Sequence, residues 1–187
     1  MKYLIVGLGN PGAKYENTRH NVGFKVLDEL VKDTKYEFTS EKLGDIAYYK
    51  FKGRTLVLLK PSTFMNLSGK SLNYWMQKEK ISLERVLIIV DDIALPFGKL
   101  RLKPKGSDAG HNGLKDIATT LNTTKYPRLK FGIGNNYPKG RQVEYVLGDW
   151  TKTEKEKLPE LLKKSIKYIK SFVTIGIART MNTLNQK

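Results

Sequence analysis

Apolar residues along this chain fall into short blocks of two kinds. The first kind comprises YLIV (3–6), AYYKF (47–51), TLVLLK (55–60), VLIIV (86–90), KLRLK (99–103) and LKFGIG (129–134), each predicted to be a strand. The KGR turn between the second and third predicts a hairpin. VLIIV is apolar throughout, as in a strand buried on both faces, whereas KLRLK alternates and should have one wet, basic face. The second kind recurs at helical spacing over 22–33, roughly 67–79, 112–121 and a long stretch from about 152. In that last stretch Leu158, Leu161, Leu162, Ile166, Ile169 and Phe172 align, and Lys163, Lys164, Lys167 and Lys170 fall largely away from them. Thr151 and Glu154 have the spacing of a capping box, so Pro159 should either kink the helix or mark its true start.

Strands and helices mix along the whole length, without repeats or low-complexity linkers, which predicts a single three-layer α/β domain over residues 1–187. The hairpin and uneven helix spacing predict a mixed, twisted sheet flanked by helices. The apolar runs are far shorter than the roughly 20 residues of a membrane span, and no charged-then-apolar leader precedes them. A soluble, cytoplasmic protein without a membrane partner is expected.

The chain has no cysteine and two histidines, which excludes disulfides and thiol nucleophiles and leaves no plausible zinc constellation. Any catalysis is expected to be metal-free or to borrow a metal through carboxylates. Lys and Arg number 34 against 18 Asp and Glu, a formal charge of +16 that would attract polyanions, nucleic acid first among them. A lysine-rich composition that only keeps the protein dissolved accounts for the charge equally well.

GLGNPG (7–12) matches the glycine fingerprint of dinucleotide sites. That site needs a helix directly after the turn, yet AKYENTRHN carries no apolar helical period, Pro11 removes an N–H donor, and the acids Asp28 and Glu29 lie inside the next helix. GKS (69–71) has Phe64 where a phosphate-binding loop needs glycine, and G-x-S-x-G is absent. No nucleotide cofactor is expected.

What remains is a set of amides beside the two histidines: Asn10 in the glycine turn, His20 with Asn21, Asn66 in TFMNLSG, and Asn112 after His111 in GHNG. Each sits where a strand or loop meets a helix, and each alone is compatible with plain turn chemistry. Asp91 and Asp92 end the buried strand, where one of them can orient a histidine and raise its basicity. Without an activated Cys or Ser, the fitting chemistry is water attack by general base, with amide donors steadying the oxyanion. A labile bond such as an ester suits so light an apparatus.

In combination, GLGNPGAKYENTRHNVGF (7–24), PSTFMNLSGKS (61–71), VDDIALPFGKLRLK (90–103), GHNGLKDI (110–117), RLKFGIG (128–134) and YVLGDW (145–150) resemble the bacterial-type peptidyl-tRNA hydrolases, in family order and over nearly the whole chain. The resemblance implies cleavage of the ester between a peptide and the terminal ribose of tRNA, with no cofactor, no obligate protein partner and a monomeric enzyme. It implies that His20 is the base, that Asp91 orients it, and that Asn10 holds the water or the histidine. Asn66 and Asn112 would bind the peptide main chain and scissile carbonyl, with Met65 and Tyr15 lining the crevice. Arg101, Lys103 and Lys130 would contact the RNA. His111 would help to place substrate, either as structural support or directly. Two departures stand out: KGSDA (105–109) is poorer in glycine than the family pattern, and Ala94 replaces a common acid. A relative that binds RNA without hydrolysing it is the alternative.

Overall fold

A computed structural model describes residues 1–185. Seven strands form one sheet in the order β2-β3-β4-β1-β5-β7-β6. They are β1 (Lys2–Gly7), β2 (Thr39–Glu41), β3 (Gly44–Phe51), β4 (Arg54–Pro61), β5 (Val86–Asp92), β6 (Leu100–Lys103) and β7 (Arg128–Gly132). The four central strands run parallel, β2 and β3 extend them antiparallel on one side, and β6 closes the other edge antiparallel. The mixed sheet predicted from the sequence is therefore present.

Helices cover both faces: α1 (Val22–Val31), α2 (Ser68–Glu79), α3 (Asn112–Leu121), α4 (Gln142–Val146), α5 (Lys152–Ile175) and α6 (Ile177–Leu184). Alternation along the strands splits the apolar interior in two. Ile5, Leu58, Ile89 and Phe131 face α1 and α5, while Leu4, Val57, Ile88 and Val90 face α2 and α3. All of β5 is buried, as its unbroken apolar run predicts. The β3–β4 turn is Lys52-Gly53, both at positive φ, the conformation that a two-residue hairpin with right-handed twist requires.

Three details depart from the sequence reading. The C-terminal helix divides at Gly176, whose φ of 85° turns the chain back so that α6 reaches the edge strand. There the Asn185 amide pairs with both the N–H and the C=O of Leu102, blunting the open edge of β6. Of the two roles expected for Pro159, marking the helix start is excluded: the capping box at Thr151 and Glu154 sets the start, and the proline lies inside α5 on its exposed side, where water can serve the carbonyl it leaves unpaired. The basic face of KLRLK is only half wet, since Arg101 and Lys103 are half-buried. Two short elements, β2 and α4, lack any apolar period and were not predicted.

Two backbone features place the site. A Cβ on Gly23 would meet Leu8 N, Leu8 O and Ile89 O at 2.5–2.8 Å, so α1 rests directly on the backbone where β1 and β5 end. Arg128, fully buried, has no carboxylate partner among the described residues; it donates to the carbonyls of Gly106, Ser107, Thr124 and Tyr126 and lies over the Tyr126 ring. This guanidinium ties the loop that leads to α3 onto the start of β7.

Candidate active site

The glycine turn after β1 does not lead into a helix. Residues 13–21 instead make two 3-10 turns, Ala13–Tyr15 and Arg19–Asn21, before α1 begins. The turn therefore does not open a helix of its own whose N–H groups could meet a pyrophosphate. Asn21 binds the turn instead, accepting from the Asn10 N–H and donating to its C=O, both at 2.9 Å. The turn is thus built to hold Asn10, and the Asn10 side-chain oxygen accepts from the Met65 N–H at 2.7 Å.

His20, in the second of these turns, and Asp91, near the end of β5, meet below a crevice. His20 Nδ1 lies 2.9 and 3.1 Å from the two carboxylate oxygens of Asp91. His111 approaches the same carboxylate, with Nε2 at 2.9 Å from Oδ1 and the two rings 4.7 Å apart. The tautomer of His111 follows from its other nitrogen. Nδ1 caps α3, accepting from the N–H groups of Gly113 and Leu114 at 3.1 and 3.4 Å, so the proton sits on Nε2 and is donated to Asp91. Asp91 therefore accepts two imidazole N–H bonds. The bond at His20 Nδ1 leaves Nε2, which has no partner among the described residues, as the free lone pair on the crevice.

Charge and burial act together here. Burial pushes the His20 pKa down, but the Asp91 charge and hydrogen bond outweigh it and raise the imidazole above its ordinary value. Burial pushes Asp91 up, yet the charges and hydrogen bonds of His111 and His20 hold it well below the usual carboxylate range. A base with raised basicity beside an acid that favours its ionised form results.

His20, Asp91 and His111 also offer ligand atoms within 4.8 Å of one another, the donor set of a metal site. The ring nitrogens argue against one. A neutral imidazole bound to metal through Nε2 carries its proton on Nδ1, and that proton would point at the two amides Nδ1 now accepts.

Of the other sequence-predicted residues, Asn112 and Lys130 line this crevice, whereas Asn10 lines a separate hollow with Pro11, Asn21 and Phe24. Asn112 is the exposed first residue of α3, and Asn66 is exposed in the 3-10 turn Met65–Leu67 that opens α2. These turns are locked together: Met65 Sδ would lie 2.7 Å from a Cβ on Gly113, and the Gly69 N–H donates to Asp116. Met65 is buried, and Tyr15 stands edge-on to the exposed Phe64 at 6.4 Å. Asn10 is joined to Met65 and Asn21 rather than to His20. Lys130 lines the crevice, paired with Asp92 at 3.2 Å, while Arg101, its cross-strand neighbour, and Lys103 occupy the same sheet face toward the edge. Ala94 is exposed and gives its N–H to Asp92. The sequence reading missed Val143 and Gln142, on the opposite wall, and Arg19; a short helix without periodicity and a buried arginine leave no pattern to read.

Residues 4–187 match the family described as peptidyl-tRNA hydrolase. The chain is similar to the peptidyl-tRNA hydrolase of Porphyromonas gingivalis, at 57% identity over 99% of this chain and all of that protein. It is 58% identical to that of Phocaeicola vulgatus over the full length of both. In three dimensions it resembles the crystal structure of peptidyl-tRNA hydrolase from Acinetobacter baumannii, with a TM-score of 0.91 and 33% identity, covering 98% of this chain and 94% of the other.

Proposed function

The chain belongs to the peptidyl-tRNA hydrolase family, and from that premise we propose that it hydrolyses the ester joining a peptide to the terminal ribose of tRNA, in the cytoplasm and as a monomer. One observation carries the mechanism: buried Asp91 holds His20 Nδ1 at 2.9 Å, so that Nε2 meets the crevice as a base.

Neutral His20 takes a proton at Nε2 from a water as that water attacks the ester carbonyl. Asp91 keeps the ring in the tautomer that can accept and stabilises the imidazolium that forms. The amide groups of Asn66 and Asn112, at the starts of α2 and α3, hold the peptide main chain and the carbonyl oxygen as it gains charge. The side-chain nitrogen of Asn10, whose oxygen is engaged by Met65, is the donor left to hold the water. Collapse of the tetrahedral intermediate expels the ribose oxygen, which recovers the proton from His20 Nε2. Tyr15 and Met65 line the peptide end.

A blocked amino group is favoured because the acids nearest the base are already engaged, Asp91 by two imidazoles and Asp92 by Lys130, and the third acid of the crevice, Asp108, bonds back to its own loop at the Gly110 N–H. A free substrate ammonium would be desolvated without a carboxylate partner, at a cost of several kcal/mol (order of magnitude). Arg101 and Lys103 supply the positive edge for RNA phosphates, with Lys130 held behind them by Asp92 and reaching RNA only by leaving that pair; such a contact reads backbone and so serves every tRNA.

The test compares release of labelled N-acetyl-aminoacyl groups from tRNA by the protein and by His20→Ala, with unblocked aminoacyl-tRNA alongside. Hydrolysis confined to the blocked substrate and lost in the variant is expected. Salt-sensitive tRNA binding without hydrolysis would leave an RNA-binding relative and overturn the catalytic roles.

A further inference from the structure

Arg19 precedes the base, is 6% exposed, and has no task in the mechanism above. Its Nη1 donates to the Tyr145 carbonyl at 3.0 Å and its Nη2 to Glu154 Oε1 at 2.9 Å. The guanidinium lies over the Tyr145 ring, 4.1 Å from its centre, with the Trp150 ring at 5.9 Å; Nε has no partner among the described residues. The Arg19 N–H donates to the Gly148 carbonyl at 3.0 Å, and Thr18 bridges Asp149. Glu154 also accepts the Thr151 N–H within the capping box of α5.

One side chain therefore gathers α4, which carries Gln142, Val143 and Val146 into the crevice wall, and the start of α5 onto the turn Arg19–Asn21. The three residues of that turn fasten to three separate parts of the molecule: Arg19 to residues 145–154, His20 to Asp91, and Asn21 to Asn10. So short a 3-10 turn has little rigidity of its own, and its place is set by these anchors. A residue that only filled space here would cost less as an apolar side chain, since burying a charge carries a desolvation penalty. The fork that meets a carbonyl, a carboxylate and an aromatic face at once is particular to arginine.

We propose that Arg19 is a positioning residue for the hydrolysis, clamping residues 145–154 to the turn so that the His20 imidazole stays in register with Asp91 and α4 stays in place as the crevice wall. The proposal rests on His20 being the base. The groups facing that imidazole are Asp91 on β5 and His111 ahead of α3, with the Asp92–Lys130 pair and Asp108 elsewhere in the crevice lining, and none of them changes in the test.

Three variants test it, read by kcat, KM, melting temperature and NMR titration of the imidazoles, of which the chain has only two. Arg19→Lys keeps the charge and loses the fork; kcat should fall about ten- to a hundredfold, as expected for a displaced catalytic group, with a smaller change in KM. The His20 titration midpoint should move down as its contact with Asp91 loosens. Glu154→Gln keeps the acceptor for Thr151 and Arg19 but not the charge, and should shift kcat and midpoint the same way by less. Thr151→Ala removes the cap alone and should lower the melting temperature by about 2–4 °C with kcat and midpoint unchanged. Arg19→Lys with a lowered melting temperature but unaltered kcat and midpoint would reduce Arg19 to packing and overturn the proposal. Should that variant not fold, Glu154→Gln with unaltered kcat and midpoint overturns it equally. His20→Ala that still hydrolyses would remove the base assignment, whereas the midpoint shift is read on the imidazole itself and is decided separately.

Discussion

Asp91→Asn removes one charge and changes the geometry hardly at all, yet the hydrogen-bond inventory predicts a severe effect. In the native site the carboxylate accepts from His20 Nδ1 and from His111 Nε2, each at 2.9 Å. Asparagine offers one oxygen and one NH2. His111 cannot change tautomer without turning a proton toward the Gly113 and Leu114 amides, so it claims the oxygen. The NH2 then faces His20 Nδ1, which must become an acceptor, and the His20 proton moves to Nε2, where the lone pair was needed. Loss of the base by the wrong tautomer costs about 10³–10⁴ in kcat, or ~4–5.5 kcal/mol of barrier. The assay is single-turnover release of N-acetyl-aminoacyl groups from tRNA, with the ¹⁵N spectrum of His20 recording which ring nitrogen bears the proton. A variant within about tenfold of the native rate, or one whose His20 keeps its proton on Nδ1, refutes the tautomer reasoning.

Activity should rise with pH as His20 loses its proton, with a midpoint above the ordinary histidine value of about 6.5 because Asp91 raises it; a pH–rate profile checks this, and Asp91→Asn should lower the residual midpoint. Stability runs the other way. The raised pKa of His20 contributes stability that is fully present below about pH 6.5 and lost as pH climbs through the folded value, so thermal melts should show an alkaline decline that Asp91→Asn lacks. The depressed pKa of Asp91 contributes above about pH 4 and is lost only in strong acid. Lys103→Ala should weaken tRNA binding and flatten the log–log salt dependence by about 0.7–0.9, equally for different tRNAs, as a filter-binding series would record. Gly23→Ala drives a methyl to within 2.5–2.8 Å of backbone atoms of Leu8 and Ile89, and urea denaturation should show a loss of about 3 kcal/mol.

The sequence made some of this legible and hid the rest for physical reasons. The strand VLIIV and its terminal Asp91 could be read because an unbroken apolar run this short fits a strand buried on both faces, and a carboxylate at its end is delivered to the rim of the sheet. The Lys52-Gly53 hairpin was readable because turn chemistry is local. The amphipathic stripe announced α5, but its break at Gly176 depends on where β6 lies. Nothing local says that Asn10 is joined to Met65, 55 positions away, or that Arg19 reaches Glu154. The capping use of His111 was hidden too, because imidazole is an unusual cap and GHNG reads as an ordinary turn.

The carbonyl cradle around Arg128 has a calorimetric consequence. Loops that bear ligand-binding amides commonly order only when ligand arrives, and that ordering subtracts from affinity. Here the segment leading to Asn112 is already held to β7 by hydrogen bonds that a buried guanidinium donates to the Gly106 and Ser107 carbonyls. Its conformational entropy was spent when the chain folded, so titration with a non-hydrolysable substrate analogue should give a heat-capacity change matching the area of the interface alone. In Arg128→Met the same titration should acquire an extra unfavourable entropy, because the freed loop would then have to be arrested by the ligand.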